Sequence, residues 1–333
     1  MSNQKTDGII IILSYPDTVV RPAYWEPSSK IWPLIGIGGK HAVQAGHAAL
    51  LLIKKEEPEI SYFDFGRYIT TYSNGRVRCK KTDPELEVSI NAKFKNGTLT
   101  NLKDILLWIE KHPEKTHGDG RLVASVHNEI DFSKAHQFIH QLIDEKEIPY
   151  GAFIKKGTNC ARFVTDAIIT SSSNKKIGKQ LKKSNLLTPS PIGNVIKGNT
   201  NNIIYTIYKQ EIKVYKNRSI LKEYKASFFK KFNNEPNLIG TEHPNIKVFE
   251  LKKGTWLGGI GSGAWFKIEQ QVNLEIYKIA RYTAEGKKDF EALFSINKTC
   301  FNPSIAHNFM HPTNCKEVFI QQKDKKYYFK KNI

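Results

Sequence analysis

The chain has 333 residues, 40% of them hydrophobic and 25% charged, a globular mix long enough for about two domains at roughly 150 residues each. That excludes wholesale disorder and collagen-like repeats, and the four cysteines, Cys79, Cys160, Cys300 and Cys315, form neither a CxxC nor a disulfide framework. The net charge of +19 suits an acidic partner. However, the excess is scattered lysine without a helix-turn-helix, RNP or finger signature, which argues against nucleic acid.

Taken in chain order, residues 8–14 read as a buried strand ended by Tyr15-Pro16-Asp17 turn chemistry. Residues 15–40 are irregular, rich in proline, tryptophan and glycine. Their glycines lack a GxGxxG or a P-loop ending. Residues 47–53 are apolar on both faces, as a central strand is. A charged turn at 54–59 leads to a second strand at 60–68. Residues 101–111 read as a short amphipathic helix and 121–127 as a strand. Residues 131–145 read as a helix capped by Asp131 or Ser133. Another helix is expected from about 158 to 169.

A Ser/Asn/Lys/Pro-rich stretch at 171–201 reads as a linker between halves. Its cluster Lys175-Lys176, Lys179, Lys182-Lys183 reads as a solvated linker or helix face. Beyond it, residues 203–208, 246–251, 265–269 and 318–321 read as strands, with helices possible at 216–231 and 287–294. No apolar run reaches the roughly 18 residues a membrane span needs. The first residues lack the apolar core of a secretory signal. The expectation is a cytoplasmic protein with no membrane span.

Three residues carry chemistry. Cys160, in Gly157-Thr158-Asn159-Cys160-Ala161-Arg162-Phe163-Val164, falls in the first turn of a buried helix. Free N–H groups and the positive dipole end stabilise a thiolate there, and could hold an oxyanion. His47, in Gly46-His47-Ala48, heads a very apolar strand and needs a partner; facing a thiol, it would be a general base. Asp64 sits between Phe63 and Phe65 and is costly to bury alone. If the strands around residues 54–59 pair as a hairpin, residue numbers across the ladder sum to about 111–113. Asp64 then lies roughly opposite His47 and could fix its tautomer. The bland alternatives are a core cysteine, a backbone-bonded histidine and an Asp64–Arg67 salt bridge. Together the three residues make a nucleophile, a base and an orienter.

At this point the sequence resembles a known family. The Gly46-His47-Ala48 strand start, the acid on the next strand and Asn159-Cys160-x-x-Phe163-Val164 look like circularly permuted papain-like thiol enzymes. These are permuted relatives of NlpC-type peptidases, including the lecithin:retinol acyltransferase-like group, in which His precedes Cys. The chain also resembles an uncharacterised bacterial family carrying the run Tyr62-Phe63-Asp64-Phe65-Gly66-Arg67-Tyr68 and a second half with Trp256 to Phe266. The bacterial-family resemblance spans the whole chain, and the catalytic one covers about residues 8–172. It implies that Cys160 is the nucleophile, His47 the base and Asp64 the third member, acting on an amide or thioester carbonyl. Long apolar segments for lipid access are missing, which argues against a lipid substrate, and the lack of an export signal argues against peptidoglycan.

The expected architecture is α+β. A permuted papain-like domain at 1–190, with an antiparallel sheet packed on the cysteine helix, precedes a β-rich accessory domain at 200–333. The expected function is a cysteine-dependent hydrolase or acyl transferase, peptidase or amidase first, acting on a peptide or other acyl substrate without a cofactor. The alternative is a non-catalytic binding protein of the same fold, its basic second half meeting an acidic partner. Cys300, His307, His311 and Cys315 could complete a tetrahedral zinc site, with His307 and His311 on one helical face. Pro303, Pro312 and the missing CxxC knuckle favour ordinary packed residues, so no metal is expected. The glycines between Trp256 and Phe266 read as a turn over an aromatic cluster, or as a loop stacking on a peptide or glycan.

Overall fold

The computed structural model describes residues 5–31, 33–35, 37–39, 42–216, 219–229, 244, 254–296 and 301–332. The chain divides into two compact units. The first comprises Met1–Gly66, Val77–Cys79 and Glu85–Leu238; the second comprises Arg67–Arg76, Lys80–Pro84 and Ile239–Ile333.

The strands of the larger sheet are, in chain order, β1 (Gly8–Tyr15), β2 (His47–Lys54), β3 (Ile60–Gly66), β4 (Asn74–Arg78), β5 (Leu122–Ile130), β6 (Ile148–Pro149), β7 (Ile204–Tyr208) and β8 (Glu211–Val214). They form one sheet in the order β8-β7-β5-β1-β2-β3-β4-β6. The ladders β1–β2, β1–β5, β2–β3, β5–β7 and β7–β8 are antiparallel. The principal helices are α1 (Leu102–Glu110), α2 (Phe132–Glu145), α3 (Cys160–Ser171), α4 (Lys175–Ser184), α5 (Pro191–Lys197) and α6 (Ile220–Ala226).

The unbroken apolar runs of β1 and β2 follow from burial on both faces. Ile10, Ile12, Leu50 and Leu52 join α2, α3, α4 and α5 residues in one core. Ile9, Ile11, Leu13, Ala49 and Leu51 join α1 residues in another. Each such leucine or isoleucine contributes about 1.5–3 kcal/mol over exposure. Asp131 caps α2 as expected, its carboxylate accepting from Lys134 N–H at 3.1 Å.

The stretch at 171–201 is not a linker. It folds as α4 and α5, each opened by a side-chain cap, Asn174 for Ile177 N–H and Ser190 for Gly193 N–H. Ile177 and Leu181, four residues apart, are buried, which leaves the lysines on the opposite, wet face. The strand at 203–208 adds, as β7, to the first unit's sheet through Ser125↔Ile204 and its neighbours.

The second unit is built on a seven-stranded sheet. Its strands are β9 (Thr255–Gly259), β10 (Ser262–Gln271), β11 (Ile276–Tyr282), β12 (Lys288–Ile296), β13 (Asn308–Met310), β14 (Glu317–Gln322) and β15 (Lys325–Lys331). They run in the order β9-β10-β11-β12-β15-β14-β13. Phe266, Tyr277, Phe294 and Phe329 anchor its core. The helix expected at 287–294 is instead the strand β12. Phe290, Ala292, Phe294 and Ile296 alternate against the core, a two-residue period that a short apolar run does not separate from a helical one. Among the described residues of the helix read at 216–231, the helical ones are the shorter α6. The strand expected at 246–251 lies outside the described residues. The Trp256–Phe266 run is the β9–β10 hairpin, turning where Gly259 pairs with Ser262.

His307 and His311 flank β13 rather than sharing a helical face. His307 Nδ1 donates to the Ile305 carbonyl at 2.8 Å, and Cys315 is buried. Cys300 lies outside the described residues. Among the described residues no helix is long and apolar enough to cross a membrane.

Candidate active site

Cys160 is the first residue of α3. Asn159 precedes it in extended backbone, and its side chain accepts from Arg162 N–H at 2.9 Å. The Asn159 carbonyl takes Phe163 N–H, also at 2.9 Å. Helix geometry leaves the N–H groups of Cys160 and Ala161 without an intrahelical acceptor. Phe163, Val164, Ala167 and Ile168 are fully buried and hold the helix against the sheet, so its start is fixed. The Arg162 guanidinium donates to the carbonyls of Ala152 at 2.8 Å and Leu187 at 3.2 Å, tying two loops to the helix that carries the cysteine.

His47 opens β2, and its backbone pairs with Tyr15. The Tyr15 ring stacks on the imidazole at 6.4 Å between centroids. Gly46 ahead of it has φ +73°, and a Cβ there would meet the Tyr15 carbonyl oxygen at 3.0 Å. Only glycine makes that turn without strain. Asp64 pairs across the ladder with Ala49, which makes it the diagonal, same-face neighbour of His47. His47 Nε2 and Asp64 Oδ2 are 3.4 Å apart.

Asp64 is fully buried and receives three groups. Arg78 reaches it twice, Nε to Oδ1 at 3.0 Å and Nη2 to Oδ2 at 2.5 Å. Tyr62 donates its hydroxyl at 3.0 Å. Burial would raise the Asp64 pKa, but the Arg78 guanidinium, helped by His47, holds the carboxyl well below the usual range. Burial likewise opposes charge on His47. The hydrogen bond to Asp64 and the interaction with the Cys160 thiol outweigh it and raise the imidazole to about 9. Cys160, His47 and Asp64 are thus brought together, all three buried.

The carboxylate's ion-pair partner is Arg78, not Arg67. Arg67 lies an odd number of residues from Asp64, and an extended strand sends it to the other face. Sequence reasoning passed over Arg78 and Tyr62. The signal was there: Arg76-Val77-Arg78 sets guanidinium groups two apart in a strand, and buried arginines need carboxylates. Tyr62 is two residues from Asp64 and shares its face.

A cavity of about 370 Å³ opens beside Cys160. Asn159, Cys160 and Ala161 border it at the helix start, and Gly46 borders it next to His47.

Residues 10–177 match the family model described as type VI secretion system effector TseH-like. The chain belongs to that family. This agrees with the expectation of a bacterial family. Residues 254–332 match a second model, the DUF6695 C-terminal domain. Among solved structures, the chain is similar to a crystal structure of the type VI secretion system effector TseH, at 18% identity and a TM-score of 0.40. That match covers 63% of this chain and 99% of the other. No curated protein matches.

Proposed function

We propose that the first unit is a cysteine-dependent hydrolase of circularly permuted papain-like design, cleaving an amide or thioester bond, with a peptide bond first. The observation that carries this reading is His47 held 3.4 Å from Asp64 and interacting electrostatically with the Cys160 thiol, with that thiol at a helix start. Permutation is supported by chain order, since the base precedes the nucleophile. The proposed catalytic domain centres on residues 1–190. The β-rich residues from about 200 onward, with β7, β8 and the α6 region left to the first unit, form an accessory domain for binding or docking. Membership of a secretion-effector family supports a role as an exported effector. The cytoplasm is then the compartment of synthesis rather than of action.

In the reaction, His47 holds the Cys160 proton, and the raised imidazole pKa favours a thiolate–imidazolium pair. The sulfur attacks the carbonyl carbon, and the N–H groups of Cys160 and Ala161 donate to the developing oxyanion. The imidazolium gives its proton to the leaving nitrogen as the C–N bond breaks, leaving a thioester. Water then attacks with its proton passing to His47. The S–C bond breaks, and the acid departs. Asp64 accepts the hydrogen bond from Nε2–H throughout, the proton staying on His47, and so fixes the tautomer that turns Nδ1 to the thiol.

The test is alkylation of the native protein by iodoacetamide across pH, assigned to each cysteine by mass spectrometry. Cys160 is expected to react far faster than Cys79, Cys300 and Cys315 and to lose that advantage in His47→Ala. Turnover, once a substrate is in hand, is expected to fall above about pH 9, where His47 loses its proton. Slow modification of Cys160, unchanged in His47→Ala, would instead favour a binding protein of the same fold.

A further inference from the structure

The cavity beside Cys160 is more specific than the reaction requires. Its wall is dominated by rings and aliphatic groups, among them Tyr150, Phe153, Leu187, Tyr224 and Phe228. Two of these stand in water at its rim: Phe153 is 54% exposed and Leu187 is 75% exposed. Apolar side chains placed singly on a surface need no explanation, but apolar side chains gathered round a pocket mark a place for an apolar ligand.

The wall is also prebuilt. The Trp25 indole N–H donates to the Tyr150 carbonyl at 2.7 Å, and Glu26 accepts the Phe153 N–H at 2.8 Å. Arg162 holds the carbonyls of Ala152 and Leu187, two residues along the helix from the sulfur. Glu26, a charged residue in the lining, is therefore engaged in holding the wall. Arg21, another, stacks its guanidinium over Tyr24 at 4.7 Å.

The cavity reaches the reacting sulfur. Asn159, Cys160 and Ala161 line it at the helix start, and Ala45 and Gly46 line it on the approach to His47. The pocket is therefore placed to seat a side chain beside the cleaved bond.

Resting on the hydrolase reading above, we infer that the substrate is a peptide with a large apolar, aromatic side chain beside the cleaved bond, seated in this cavity between Phe153 and Leu187. Ring-lined walls favour an aromatic guest through offset and edge-to-face contacts, and the volume falls in the range of small-ligand pockets.

The experiment labels Cys160 in the full-length protein with the chloromethyl ketones of N-acetylphenylalanine and N-acetylglycine, a straight-chain alkyl chloromethyl ketone, and iodoacetamide. Each rate is normalised to that of free cysteine with the same reagent. The phenylalanine ketone is expected to outpace the glycine ketone at least about tenfold, the factor that burying one ring supplies. In Phe153→Ser and Leu187→Ser that preference is expected to shrink. Fast iodoacetamide labelling with a phenylalanine-to-glycine ratio near one overturns the pocket assignment alone. A faster alkyl ketone overturns the peptide in favour of a linear acyl chain. Slow iodoacetamide labelling overturns the hydrolase reading itself, and the inference with it.

Discussion

Asp64 concentrates the energetics of the site in one buried carboxylate. It is ionised because Arg78 meets it with two parallel contacts, the strongest ion-pair geometry a protein side chain offers. Removing one partner of a buried pair leaves a charge without compensation and costs about 3–5 kcal/mol. Arg78→Met is therefore expected to destabilise the protein by about that much at neutral pH, and urea unfolding measures it. Wild-type stability in that variant would mean Asp64 is held by Tyr62 and His47 alone. The two titrating partners act in opposite directions. His47, raised from 6.5 to about 9, stabilises the fold fully below its unfolded value and loses that contribution as pH climbs through about 9. Asp64, lowered from 3.8, stabilises the fold above that value and loses its contribution as pH falls through the lowered one. In Arg78→Met the acid limb of the stability profile is expected to begin at a higher pH, because the lowering charge is gone.

At the scale of elements, what could be read from the sequence was what depends on near neighbours. The doubly apolar runs at 8–14 and 47–53 identified β1 and β2, because only strands buried on both faces need such runs. The hairpin arithmetic brought Asp64 to His47, since the Ala49↔Asp64 pairing sums to 113, within the expected range. Arg78 escaped because the reading followed Asp64 only to β2 and left out β4, the neighbour of β3 on its other side. The helix α4 escaped because a lysine-rich composition masks two buried residues four apart, and β12 because its phenylalanines fit either period. The helix start that carries Cys160 is local in the same way, and Asn159 is its fastener. Asn159→Ala is expected to cost about 1 kcal/mol in thermal or urea unfolding. It should also slow iodoacetamide at Cys160, because the first turn that presents the sulfur loosens. Full stability with unchanged reactivity would assign the turn's rigidity to Phe163 and its neighbours.

At the scale of the whole molecule, the second unit draws on a distant piece of the chain. Residues 254–332 match a family model of their own, yet the compact unit also takes in Arg67–Arg76 and Lys80–Pro84. Those segments are bonded into it. Ile260 N–H donates to the Arg67 carbonyl at 2.9 Å, and Cys315 N–H donates to Thr82 at 3.1 Å. The Ser262 hydroxyl accepts Ile69 N–H at 3.0 Å. Asp83 is buried, with two contacts of 2.6 Å to Arg76 and a third charge, Arg281, at 3.8 Å. A fragment of residues 239–333 keeps buried Arg281 with Asp289 at 3.0 Å but loses Asp83 and all these backbone bonds. Domains of this size have about 5–15 kcal/mol of stability in total, and losing one partner of a buried pair takes about 3–5. The fragment alone is expected to melt early or not to fold cooperatively, and the same fragment with residues 67–84 fused ahead of it to regain a cooperative thermal transition. Superimposable melts would show that the C-terminal strands carry the fold without the inserted segment. The strand pairing of β9 and β10 with their sheet neighbours would then be sufficient to close the core around Phe266 and Tyr277.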